Sequence, residues 1–128
     1  MNLLLDTHTL IWWLGGLGLL SEPATGAIAD TANTVFVSSA SAFEIATKER
    51  LGKLPVAGAF VEQLDEHVRA EGFKPLPIAL PHALAAGRLP GPHKDPFDRL
   101  LIAQARLEGF AVVTSDPIFR RYRVPVVW

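Results

Sequence analysis

The chain contains no cysteine. Disulfides and thiolate metal ligands are therefore excluded, any bound metal must be held by oxygen or imidazole, and the composition suits a reducing cytoplasm. The opening Met1-Asn2-Leu3-Leu4-Leu5-Asp6 lacks the basic flank and cleavage site of a secretory signal, so export is not expected. Apolar runs are broken by Asp, Thr, His or Gly well short of the roughly 20 residues a membrane span needs, so no membrane association is expected. Repeats, linkers and low-complexity segments are also lacking. The 128 residues, 49% of them hydrophobic, are enough for one continuous core, and a single domain over 1–128 is expected.

A global basic field for nucleic acid is missing too, because the formal net charge is only -1. The charge is unevenly distributed, however. Residues 1–87 hold five Lys/Arg against nine Asp/Glu, whereas residues 88–128 hold seven against four. A cationic edge formed by Lys94, Arg99 and the Arg120-Arg121-Arg123 run can guide a polyanion locally.

What is present alternates between strand and helix patterns. Leu3-Leu4-Leu5 reads as a short buried strand ending in Asp6-Thr7, followed by a helix over His8–Leu14. Ser21-Glu22-Pro23 starts a second helix running to about Ala32, with Ser as cap and Pro just inside. Val35-Phe36-Val37 is a second strand, and Ser38-Ser39 can cap a helix that carries Glu44 and closes at Gly52. One amphipathic helix is predicted over Ala57–Ala70. An edge strand with two prolines follows at 73–78, then a helix at 80–89. A stiff loop, Pro90-Gly91-Pro92-His93-Lys94-Asp95-Pro96, delivers the chain to a helix ending near Gly109. Strands at 110–114 and 124–128 complete the series. Strand and helix in alternation predict an α/β protein with a central parallel sheet and helices on both faces.

Four carboxylates stand out against that pattern. Asp6 and Asp116 follow apolar strands, where open α/β sheets place ligands. Asp98 shares a helix face with Leu101, Ile102 and Ala105, so it heads a face the helix buries; it could also be an N-cap. A carboxylate taken out of water shifts its pKa, pairs with a cation or binds a metal. Glu44 lies among apolar neighbours, and with Lys48 it has the i, i+4 spacing of a helix ion pair. Asp95 suits a capping role in a Pro-containing turn. Trp12 and Trp13 are adjacent on a helix, so at least one is expected to meet a partner.

Several motifs in order resemble the PIN-domain ribonucleases, specifically the VapC toxins of toxin-antitoxin pairs. They are Leu3-Leu4-Leu5-Asp6-Thr7-His8, Phe43-Glu44-Ile45-Ala46-Thr47-Lys48 with Leu51-Gly52-Lys53-Leu54, and His93 through Ala105. Thr114-Ser115-Asp116 and Tyr122-Arg123-Val124-Pro125-Val126-Val127-Trp128 complete the match. Phe43 stands where the family often has Trp, and Thr47 where an aliphatic residue is usual.

The resemblance implies a PIN-like three-layer α/β/α sandwich. It further implies that Asp6, Glu44, Asp98 and Asp116 are catalytic and hold Mg²⁺, with Mn²⁺ as substitute, for hydrolysis of RNA phosphodiesters in structured RNA such as tRNA or rRNA loops. Hard cations prefer such oxygen ligands. Thr7, Lys48, Lys94, Asp95, Arg99 and Ser115 are expected to support those acids or to position RNA. A VapB-type antitoxin, a homodimer and a higher assembly with the antitoxin are the expected partners. A catalytically silent PIN-fold subunit that binds RNA or protein is the alternative. Asp6-Thr7-His8-Thr9 only superficially resembles a dehalogenase-like phosphatase motif, which needs a second Asp at position 8.

Overall fold

The computed structural model describes residues 1–128 as five strands and eight helices. The strands are β1 (Asn2–Leu5), β2 (Thr34–Ser38), β3 (Lys74–Leu76), β4 (Ala111–Val113) and β5 (Val126–Val127). They form one sheet in the order β3-β2-β1-β4-β5, with every pairing parallel. The chain begins in the middle of the sheet, builds outward through β2 and β3, then returns to the other side of β1 as β4 and β5. The strand order therefore reverses between β1 and β4. That crevice, at the carboxyl ends of the strands, is where open parallel sheets bind ligands.

Strand alternation sends side chains to two layers. Leu3, Leu5, Val35, Val37, Ala111 and Val113 pack on one face with Leu10, Ile28, Ile45, Leu64 and Val68 from the helices. Leu4 and Val112 pack on the other with Leu101, Ile102, Ala105 and Phe119, and half-buried Phe36 lies against that cluster. Strands covered on both faces read as continuous apolar runs, and Leu3-Leu4-Leu5 is such a run. The three layers are those expected of an α/β/α sandwich.

Helices α1 (Thr7–Gly15), α2 (Glu22–Ala29) and α3 (Ser39–Arg50) begin at caps readable in the sequence: the side chains of Asp6, Ser21 and Ser38 accept backbone N–H groups of the first turn. Two elements differ from expectation. The amphipathic stretch 57–70 is two helices, α4 (Gly58–Glu62) and α5 (Leu64–Ala70), because α4 lies against α3 and α5 against β3, and one straight helix cannot face both. The short α8 (Ile118–Arg121) was not legible; buried Ile118 and Phe119 hold it against the second core layer. As expected, β3 is an edge strand, which suits its Pro75.

Helix α6 (Leu80–Arg88) packs on α7 (Pro96–Glu108). Buried Gln104 fixes α7 relative to α3: its Oε1 accepts from Ser38 Oγ at 2.5 Å and its Nε2 donates to the Pro77 carbonyl at 3.2 Å. Ser38 is also the α3 cap. One polar network thus sets the spacing between the helix that carries Glu44 and the helix that carries Asp98.

Trp12 and Trp13 both pack against the first core layer, Trp12 against Trp128 with ring centroids 6.0 Å apart and Trp13 against Phe73 at 6.4 Å. Adjacent indoles straddle the helix, and both remain half-buried.

Candidate active site

Asp6 sits at the turn from β1 into α1 and is 7% exposed. Both carboxylate oxygens are engaged. Oδ1 accepts the Thr9 N–H at 2.8 Å, and Oδ2 accepts the hydroxyl of Thr114, the residue just after β4. The same Thr114 oxygen accepts the Asp116 N–H at 3.0 Å, so a single buried hydroxyl joins the ends of β1 and β4. Asp116 itself is exposed, with Oδ1 accepting the Ile118 N–H at 3.0 Å.

Glu44 projects from α3 and is 5% exposed. Thr7 donates to its Oε1 at 2.6 Å and lies 3.1 Å from Ser41 Oγ, while Lys48 pairs with Oε2. The pair is the helix spacing read from sequence, but its acidic partner is buried. Its hydrogen bond to Glu44 raises the Lys48 pKa against the opposing effect of burial, and the charges of Asp95 and Asp98 raise it further.

Asp98 lies one turn into α7. Burial pushes its carboxyl up to about 6, the His93 hydrogen bond opposes this, and the negative charges of Asp95 and Asp116 add to the rise. His93 Nε2 is 2.9 Å from Asp98 Oδ2. Asp98 is not the helix cap. Asp95 is, its Oδ1 accepting the N–H groups of Phe97 and Asp98 at 2.9 and 3.0 Å, which leaves the Asp98 carboxylate free for other work. Asp6 and Asp116 thus meet through Thr114 at the switch crevice, Glu44 is held by Thr7, the residue after Asp6, and Asp98 lies within range of the Asp116 charge.

Not every candidate joins them. Arg99 does not face a ligand: Nε donates to the Ala86 carbonyl at 3.0 Å, Nη1 to His93 at 2.9 Å and Nη2 to Leu89 at 2.6 Å. Its guanidinium is consumed in tying the 89–95 loop onto α6 and α7. Charge-assisted hydrogen bonds contribute about 1.5–3 kcal/mol each and share one ordering cost, so Arg99→Met is expected to destabilise the chain by about 2–3 kcal/mol. Urea unfolding checks this, and a change under about 0.5 kcal/mol contradicts it. Lys94 and Ser115 are exposed and make no side-chain bond. Phe43, 65% exposed, does not enter the core; its ring meets the edge of Phe97 at 5.8 Å.

Three participants had weak sequence signals. Thr114 and Ser41 reach partners far away in sequence, and His93 was readable only as a loop histidine near Asp98.

The raised Asp98 pKa has a consequence for stability. In the unfolded chain this carboxyl titrates near 3.8, and in the fold at about 6. Its favourable contribution is fully present below the unfolded value and is lost as pH rises through the folded one. Asp98→Asn should therefore gain in melting temperature over the parent between about pH 4 and pH 7.5, measured in chelator. A difference that stays constant with pH contradicts this.

The donor set is hard oxygen throughout, and no three of its Asp, Glu and His side chains converge into a ready-made cage. Oxygen donors of this kind are the ones that hard divalent cations prefer. Burial is the main cause of the raised Asp98 pKa, and the charges of Asp95 and Asp116 that add to it also favour a cation there.

The family model described as PIN domain matches residues 3–125. The chain belongs to the PIN-domain family. This PIN domain is 36% identical over 133 aligned positions to Ribonuclease VapC22 of Mycobacterium tuberculosis, with 99% of this chain and 98% of that protein covered. Among solved structures it is similar to VapBC2 from Rickettsia felis bound to a DNA fragment from their promoter, with TM-score 0.71, 16% identity, and 98% and 97% of the two chains covered. It is also similar to FitAcB from Neisseria gonorrhoeae, with TM-score 0.62, 22% identity, and 97% and 95% covered. These two likenesses establish the fold.

Proposed function

We propose that this PIN domain is a Mg²⁺-dependent endoribonuclease of the VapC type, the toxin of a toxin-antitoxin pair, and that Asp6, Glu44, Asp98 and Asp116 are its working acids. The observation that carries the reading is one buried hydroxyl at the switch crevice, that of Thr114, bonded both to the Asp6 carboxylate and to the Asp116 N–H, with Glu44 held by Thr7 beside Asp6 and Asp98 within range of the Asp116 charge. The 36% identity to a named ribonuclease over nearly the whole chain supports it.

Mg²⁺ held by these acids would supply positive charge at the reacting phosphate and lower the pKa of a bound water. The chain's own part is positioning. Thr9 and Thr114 fix the rotamer of Asp6, Thr7 and Lys48 fix Glu44, and His93 orients Asp98. A carboxylate so oriented is held in place to serve as a ligand or proton acceptor. Asp116, exposed at the rim, is suited to meet substrate or its waters. The protein is expected to act in the cytoplasm on structured RNA, with Mn²⁺ able to replace Mg²⁺; no helix is long and apolar enough to cross a membrane.

The test is incubation of purified protein with tRNA and rRNA in Mg²⁺, Mn²⁺ or chelator. Discrete fragments with either metal and none in chelator support the reading, and the absence of cleavage in any condition favours the catalytically silent subunit.

The partner reading is a VapB-type antitoxin bound to a homodimer of this chain. Leu17 and Leu19, 58% and 55% exposed in the loop after α1, leave apolar surface for such an assembly. Sedimentation should give a dimer at micromolar concentration; monomer alone contradicts that part.

A further inference from the structure

Between the 90–93 loop and α8 lies a cleft of about 710 Å³ lined by Arg106, Arg121, Arg123, Tyr122 and His93, with Pro90, Gly91, Pro92 and Ile118 completing its walls. No carboxylate lines it. The four ion pairs of the chain involve Lys48, Arg69, His82 and His93, so its three guanidiniums lack acidic partners. They come from three different places, α7, α8 and the turn after it. The cleft is also braced. Tyr122 Oη donates to the Pro90 carbonyl at 2.8 Å, and Gly91, at φ 95, lets the loop approach so closely that a Cβ there would stand 2.9 Å from that oxygen.

A second observation points the same way. Arg123 has φ 60 and is the one non-glycine residue in the left-handed region. Glycine is the residue that adopts this conformation without strain, and an arginine held there is strained. Strain kept at one residue whose side chain lines a cationic cleft points to a use for that side chain.

We propose that this cleft is a phosphate-binding subsite for the RNA strand as it leaves the acid cluster, with Arg106, Arg121 and Arg123 gripping backbone phosphates. The proposal rests on the endoribonuclease reading for the identity of the polyanion. His93 connects the two places: it lines the cleft, and its Nε2 meets Asp98. A strand whose scissile phosphate lies at Asp98 therefore passes the His93 wall into the cleft. Guanidinium forks match phosphate oxygens in pairs, and a braced cleft loses little entropy on binding. The cationic edge read from sequence is thus redrawn: Arg106 joins it, while Arg99 and Arg120 do not line the cleft.

The test is binding of a fluorescent single-stranded oligoribonucleotide in chelator, where cleavage plays no part, over a series of salt concentrations. The parent should bind with a steep salt dependence. The triple variant Arg106→Gln, Arg121→Gln, Arg123→Gln should bind at least about ten-fold more weakly at the same salt, with the log–log slope reduced by about 2. Arg123→Gly alone should reduce the slope by about 0.7 while its melting temperature stays level or rises, a combination that a purely structural role does not produce. Equal slopes and affinities in parent and triple variant, or failure of the parent to bind RNA, overturn the subsite. Tighter binding of a polyglutamate peptide than of RNA makes the cleft an acidic-peptide site and also overturns it. RNA binding lost in the triple variant, from a parent that cleaves nothing in Mg²⁺, leaves the subsite standing and removes the nuclease.

Discussion

Replacing Asp98 or Asp6 by Asn is expected to lower RNA cleavage by on the order of 10²–10³ or more while the chain remains folded. The substitution removes charge and keeps shape. At position 6 the amide oxygen can still accept the Thr9 N–H, and Asn is as good a helix cap as Asp. Its amide nitrogen meets a Thr114 hydroxyl that can turn to accept. At position 98 the capping duty belongs to Asp95 and is untouched. Activity and fold therefore separate cleanly, and circular dichroism beside a cleavage assay measures both. Cleavage within a few-fold of the parent by both variants contradicts the assignment of these acids.

Adding Mg²⁺ should raise the melting temperature of the parent, and the rise should shrink in Asp98→Asn. A ligand that binds only the folded state at about 100 times its Kd stabilises by about 2.7 kcal/mol, an effect of several degrees for a chain of this size. The electrostatics predict the opposite order in chelator. Burial and the charges of Asp95 and Asp116 disfavour an ionised Asp98, so the Asn variant should then melt above the parent. Calorimetry with and without Mg²⁺ reads both effects. A parent indifferent to Mg²⁺, or a variant with an equal response, contradicts a metal at this carboxylate.

Much of this was legible before the structure, for physical reasons. Leu3-Leu4-Leu5 announces a strand covered on both faces, and the residue that ends it in a parallel sheet stands where ligands bind, so Asp6 could be read directly. Ser21 and Ser38 were readable as caps because capping depends on neighbours within a few residues.

What was hidden depended on distant partners. Thr114 reaches Asp6 across 108 positions, and no local pattern reports that. Arg99 looked like a free cation beside Asp98, yet backbone carbonyls of α6 and of the loop after it, those of Ala86, Leu89 and His93, take its N–H donors. Arg106 looked like an ordinary last-turn arginine, and only the approach of α8 and the 90–93 loop to α7 makes it part of a cleft. The choice of cap between Asp95 and Asp98 turned on where Pro96 starts the helix, a difference of three residues that composition alone does not resolve.

The central claim is that this acid cluster cleaves RNA at defined positions. Sequencing of RNA 5′ ends after brief induction of the parent and of Asp98→Asn, side by side in the same host, tests it most directly. A few discrete new ends are expected with the parent and none with the variant. The same new ends in both, or none in either, would contradict it.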